Sequence, residues 1–238
     1  MQIYWTKIHR IVDESPEVKT FYLDCPEGVT WEEGAHIHLA LKGFNAGEKP
    51  NRSLVRHMSI STLPNEQSIG ITTRIKEDCS EFKQILRTLK IGDEVAVFKI
   101  RSNVPLRREN KNIYLLSSGV GLATFRPLAL DYLTTSDNVG HVHSLNVDSS
   151  RHYLFPDLFD TASDNAFTSE FVDTRKAYYE RVKELTADKE ALYYVVGSDA
   201  FLLENIALLH ELGIKADQIK LDKHKHQLTE FLEPELSI

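Results

Sequence analysis

Ile113-Tyr114-Leu115-Leu116-Ser117-Ser118-Gly119-Val120-Gly121-Leu122-Ala123-Thr124-Phe125-Arg126 runs from an apolar strand through a glycine turn into an apolar-periodic helix. A strand, a glycine turn and a helix N-terminus together make a cradle for a pyrophosphate, because backbone N–H groups and the helix dipole both face the anion. Glycine at 119 and 121 permits positive φ and close backbone approach. The expected helix spans Leu122 to Leu133. Beyond it, β-prone runs at Val139–Leu145, Ser169–Val172, Leu192–Val196 and Gln218–Leu221 alternate with helical patterns at Leu154–Phe159, Lys176–Leu185 and Asp199–Leu212. Strand–helix alternation predicts βαβ units, a Rossmann-like parallel sheet with helices on both faces.

Working back toward the N-terminus, the grammar changes. Ile3–Val12, Val18–Leu23, His36–Leu41, Leu54–Ile60, Ile69–Ile75 and Glu94–Ile100 are short β-prone runs separated by turn formers such as Pro26-Glu27-Gly28 and Gly92-Asp93. One helical pattern, Ser80–Leu89, interrupts them. That spacing predicts an antiparallel β-barrel. The change falls where Pro105 and the charged run Arg107–Lys111 break the β pattern, so a first domain over 1–106 and a second over 107–238 are expected.

Bulk properties narrow the functional classes. The 238 residues are 42% hydrophobic and 26% charged, the balance of a globular protein. A net charge of -7 with no long basic run argues against a general nucleic-acid binder. No apolar run approaches the length of a membrane span, and no basic start precedes an apolar leader, so the expectation is a cytoplasmic protein with no membrane insertion. Only Cys25 and Cys79 occur, and neither lies in a CxxC; this removes iron–sulfur and Cys-rich zinc sites. The pairs His36/His38, His141/His143 and His224/His226 put two rings on one strand face or loop, without a third ligand at metal spacing, and no metal site is expected.

Arg56-His57-Met58-Ser59 in the first half resembles the Arg-x-Tyr-Ser flavin motif of the ferredoxin–NADP reductase superfamily. Ile71-Thr72-Thr73-Arg74 falls where that family has its second flavin-contacting strand, and Cys79-Ser80 looks like its Cys-Ser at a helix N-terminus. Gly119-Val120-Gly121 with Phe125-Arg126 is similar to its nicotinamide-binding turn, with Thr124 where proline is usual. Val196-Gly197-Ser198 resembles its Cys-Gly-Pro, with Val196 in place of the cysteine. The likeness covers nearly the whole chain with the elements in the family's order.

The resemblance implies an FAD-dependent oxidoreductase that accepts hydride from NADPH or NADH and passes electrons to a second acceptor such as ferredoxin, flavodoxin or a small molecule. Arg56 is the expected pyrophosphate clamp, since a guanidinium grips phosphate oxygens in pairs. His57, Met58, Ile71, Thr72, Thr73, Arg74, Cys79 and Ser80 complete the flavin-side set. The resemblance puts Ser59 at flavin N5, the one catalytic assignment. Gly119, Val120, Gly121, Thr124, Gly197 and Ser198 are the nicotinamide-side set; Ser198 and Asp199 also make an ordinary helix N-cap. Arg151, with Asp148 close by, and Arg175 follow the second and third strands as phosphate contacts, and Thr174-Arg175 tips the choice toward NADPH, with a helix-surface arginine as the alternative for Arg175. Phe231, in the tail from Asp222 to Ile238, is the residue expected to cover the flavin or adenine, or to pack on the barrel. Met58 stands where the family stacks an aromatic on the flavin; a thioether packs more softly. Weak stacking there would favour a free-flavin or quinone reductase. Loss of the aromatic, the proline and the cysteine together leaves open a non-catalytic nucleotide-binding module. Arg101, Arg107, Arg108 and Lys111 are a basic patch for an electron-carrier protein.

Overall fold

The computed structural model describes residues 2–159 and 167–232, and it divides into two compact units, Met1–Pro105 and Leu106–Ile238. The first unit carries β1 (Tyr4–Ser15), β2 (Val18–Asp24), β3 (Ala35–Ala40), β4 (Val55–Ser59), β5 (Ser68–Arg74), α1 (Glu81–Thr88) and β6 (Glu94–Ser102). The strands form one antiparallel sheet in the order β4-β3-β6-β1-β2-β5. Period-two patterning explains which side is dry. In β3, Ile37 and Leu39 enter the core with Ile71 of β5 and Val97 of β6, and α1 caps that core through Phe82 and Leu86, four residues apart. His36 and His38 point to the other face, as alternation requires.

The expected barrel is an open, curled sheet. No ladder joins β4 to β5 among the described residues. The two edges approach only just beyond β4, where Ser61 N donates to Gly70 O at 2.8 Å and Gly70 N donates to Thr62 Oγ1 at 2.8 Å. A Cβ at position 70 would sit 2.7 Å from Thr62 Cγ2, so glycine there is what lets the edges come this close.

The second unit carries β7 (Ile113–Ser118), α2 (Leu122–Thr134), β8 (Val142–Val147), α3 (Pro156–Phe159), β9 (Phe167–Val172), α4 (Arg175–Leu185), β10 (Leu192–Val196), α5 (Asp199–Glu211), β11 (Ile219–Leu221) and α6 (Lys225–Leu232). Its five strands are all parallel in the order β11-β10-β7-β8-β9. Each residue of β10 is buried. Leu116 and Leu145 pack with Tyr178 and Val182 of α4 and Phe201 of α5, while Ile113 and Leu115, on the opposite face, are equally buried. Both faces of the sheet are therefore covered. Burying each such side chain contributes about 1.5–3 kcal/mol.

The tail holds an element that the strand–helix pattern does not announce. α6 packs on α5, and Phe231 lies against this unit's own core, with Lys223 Nζ 5.1 Å from its ring centroid. Residues 233–238 of the tail lie outside the described residues.

Candidate functional site

On β4, Arg56 and Met58 face inward and His57 and Ser59 face outward. Arg56 Nη1 donates to three carbonyls of the preceding turn, Val55 O at 2.7 Å, Ser53 O at 3.2 Å and Arg52 O at 3.3 Å, and its guanidinium carbon lies 5.3 Å from the Phe82 ring centroid. A turn of chain thus pre-sets the cation beside the start of α1. Met58 packs against the inner cluster, and Ser59 stands opposite His36 in the β3–β4 register. The exposed His57 ring lies 3.9 Å from that of His36, centroid to centroid.

The β5 residues divide by face. Ile71 is fully buried in the core, so only its backbone can meet a ligand. Thr72 donates to Thr20 Oγ1 at 2.8 Å, Thr20 in turn donates to Glu14, and Ser61 Oγ lies 3.0 Å from Thr72 Oγ1; the Thr72 side chain is committed inside the sheet. Thr73 is buried. Arg74 closes the strand, half-buried, 4.0 Å from Glu17.

A recess of about 280 Å³ opens at the N-terminus of α1, lined by Arg74, Lys76, Asp78, Cys79, Ser80 and Lys83. Ser80 occupies the N-cap position without making a side-chain cap, so the dipole end of the helix is not closed by its own hydroxyl. Lys83 Nζ donates to Arg74 O at 2.7 Å. Burial holds its ammonium below the usual lysine range; Cys79 opposes that shift, and the Arg56 and Arg74 guanidinium groups add to it. Arg56 and Arg74 thus stand close enough to Lys83 to disfavour its charge. Such a cluster is relieved by an anion. Lys83 and Lys76 escaped the sequence reading, because a lysine on a short exposed helix has no signature of its own. The one available signal was its place three residues after Ser80.

In the second unit, chain order reverses at β7: the strands run outward through β8 to β9, then return to β10 on β7's other side. Crevices at the carboxyl ends of strands bracketing such a switch are where open α/β sheets bind ligands. The Gly119–Gly121 turn and the Val196–Gly197 end of β10 border this point. The glycines have different reasons to be glycine. Gly119 has φ +54°, whereas Gly121 is right-handed with φ -57°. A Cβ on Gly121 would lie 2.8 Å from Val196 O, so its close approach is to β10. Buried Asn146 of β8 steadies the turn, donating to Ser117 Oγ at 2.8 Å and Gly119 O at 3.2 Å. Val120 is half-exposed on the turn and Thr124 is buried in the first turn of α2. Gly197 packs against Phe201, and Ser198 caps α5 by accepting from Phe201 N at 3.3 Å.

The two arginines expected at a phosphate are both in ion pairs. Arg151 Nε donates to Asp173 Oδ2 at 2.7 Å, and Arg175 Nη1 donates to Glu204 Oε2 at 3.0 Å. Arg108, one of the cations expected to meet an electron carrier, is tied to the end of α2 through Asp131 and the carbonyls of Thr135 and Asp137.

No protein-family model matches the chain. A flavohemoprotein of Bacillus subtilis is 22% identical over 237 residues, covering 91% of the chain, and the chain spans 58% of that relative's length. A ferredoxin NADP+ reductase from Neisseria gonorrhoeae with bound FAD and NADP superposes with TM-score 0.78 at 14% identity, covering 93% of the chain and 98% of the other. The CS-b5R domains of human Ncb5or, in an NAD+ form, give TM-score 0.77 at 19% identity over 93% of the chain and 70% of theirs. The chain shares the fold of that Neisseria gonorrhoeae ferredoxin NADP+ reductase structure, an open antiparallel sheet followed by a five-stranded parallel sheet with helices. Among the described residues no helix is long and apolar enough to cross a membrane.

Proposed function

We propose that the chain is an FAD-dependent oxidoreductase that takes hydride from NADH or NADPH and hands electrons to a second acceptor. The observation that carries this reading is the gathering of Arg56, Arg74 and Lys83 at the uncapped N-terminus of α1. A dinucleotide pyrophosphate bears two negative charges, and those three cations with the first-turn N–H groups of α1 match it in sign and in hydrogen-bond donors. The likeness to a flavohemoprotein, and to two solved structures described with bound FAD and NADP or in an NAD+ form, supports the same assignment.

When bound, FAD supplies a two-electron acceptor that can release its electrons to the next carrier. The protein's own residues do the holding. Arg56, oriented by the turn carbonyls, grips phosphate; Lys83 and Arg74 neutralise what remains; backbone at Ile71–Thr73 lines the neighbouring strand. Ser59 presents a hydroxyl where the resemblance puts the reacting edge of the flavin, and Met58 offers a thioether to a ring face. In the second unit the Gly119–Gly121 turn and the start of α2 receive the nicotinamide dinucleotide's phosphates, with Gly197 keeping the end of β10 low. Ring alignment, not a proton-relay side chain, would carry the rate.

Equilibrium titration of flavin-stripped protein with FAD, followed by quenching of flavin fluorescence, tests the assignment. Saturable binding at one site per chain is expected. Failure to bind FAD, with the protein folded, would leave only a nucleotide-binding module.

A further inference from the structure

The adenosine end of a nicotinamide dinucleotide tells NADH from NADPH, and that end has an address here that rests on the reading above. With pyrophosphate at the β7 turn and the nicotinamide side toward β10, the strand order sends the adenosine the other way, across the carboxyl ends of β8 and β9. The side chains at those ends decide whether a 2′-phosphate or a free ribose diol is welcome.

Two arginines stand there, and each is already answered by a carboxylate. Arg151, in the left-handed region at φ +59°, reaches back across the β8 loop to Asp173 at the end of β9, and both of its bonds, from Nε and Nη2, land on Oδ2. Arg175 at the start of α4 is drawn away toward α5, bonding Glu204 and Tyr179 Oη (3.2 Å), with its guanidinium carbon 4.8 Å from the Phe201 ring centroid. A third carboxylate, Asp148, is buried in the β8 turn and accepts from Ser150 N at 2.9 Å. Against two arginines the neighbourhood thus sets three acids. Lys176, the next cation along, lies 4.0 Å from Glu180.

A 2′-phosphate is close to a dianion at neutral pH and needs cations not already balanced. A ribose diol needs the opposite, an acceptor for its hydroxyl protons. Asp173 supplies one: its Oδ1 accepts no hydrogen bond among the described residues, and the carboxylate is held in place through Oδ2 by Arg151.

We infer that Asp173, oriented by Arg151, selects the unphosphorylated adenosine ribose, so that the protein uses NADH in preference to NADPH. Arg175, which read in sequence as the mark of NADPH, is spent on the α4–α5 contact instead.

Parallel titrations with NADH and NADPH, read by nicotinamide fluorescence on wild type, Asp173→Ser and Asp173→Asn, test this. Wild type should bind NADH at least about tenfold more tightly. Asp173→Ser removes the carboxylate and frees Arg151, so it should weaken NADH and strengthen NADPH until the preference is lost or inverted. Asp173→Asn keeps the shape and should give an intermediate shift. Equal or tighter binding of NADPH by wild type, or an unchanged ratio in both folded variants, overturns the inference. If neither dinucleotide binds, the nicotinamide reading falls with it; if NADH binds selectively yet leaves bound FAD oxidised, selectivity stands and the reductase reading falls.

Discussion

Arg56 is held in place by its own chain. Three carbonyls hold Nη1 and the Phe82 ring backs the guanidinium, so little side-chain freedom is left to lose on binding. Replacing it by alanine removes a charged hydrogen bond of about 1.5–3 kcal/mol. FAD affinity should then fall roughly ten- to hundredfold in the fluorescence titration, with thermal stability little changed. A second residue makes a prediction independent of any cofactor. His143 is buried on β8, its Nδ1 2.8 Å from Thr168 Oγ1 and its Nε2 3.9 Å from Glu170. Burial pulls its pKa from 6.5 to about 4; the Glu170 carboxylate opposes that, while Arg181 and His141 reinforce it. A folded-state pKa below the unfolded one means the unfolded chain binds the proton first. Stability is therefore full above about pH 6.5 and declines as pH falls toward 4, by up to about 3 kcal/mol. Urea midpoints measured across that window should show the loss, and His143→Gln should flatten it. Residue types alone could nominate Arg56, because it sits in a motif. They could not nominate Lys83, whose role exists only once β5 and α1 bring Arg74 beside it. Nor could they say that Thr72 turns its hydroxyl into a buried chain with Thr20 and Ser61.

At the level of elements, the glycine turn shows what pattern reading can and cannot supply. Strand, turn and helix fell where periodicity put them, with β7 at Ile113–Ser118 and α2 at Leu122–Thr134. The reason for the second glycine did not. Gly119 needs its positive φ, so Gly119→Ala should cost about 1–2 kcal/mol through the left-handed backbone alone. Gly121→Ala instead drives a methyl into the Val196 carbonyl and must push α2 away from β10, at roughly 1–3 kcal/mol. The two variants separate by dinucleotide binding: at position 121 the helix N-terminus moves, so affinity should drop by more than the stability loss explains. The tail shows the reverse failure. Leu228, Phe231 and Leu232 have helical spacing and do form the inner face of α6, yet eight residues are too few for periodicity to stand out against a loop. The open sheet was likewise beyond reach, since closure depends on how β4 and β5 meet at Gly70, not on the strands themselves.

Over the whole molecule, the balance of charge and the division into two units set the terms for function. A chain with net charge -7 concentrates cations at the head of α1, and at the ends of β8 and β9 it cancels them. Fold class was legible from strand spacing in one half and strand–helix alternation in the other, because each half's hydrophobic period is set by the layer it must cover. The proposed oxidoreductase activity requires both units to act on one electron pair. Under anaerobic conditions, the FAD-loaded protein should lose its visible flavin absorbance on addition of one equivalent of NADH, and recover it on admitting an oxidant. A flavin spectrum that persists through excess NADH and excess NADPH alike would contradict it.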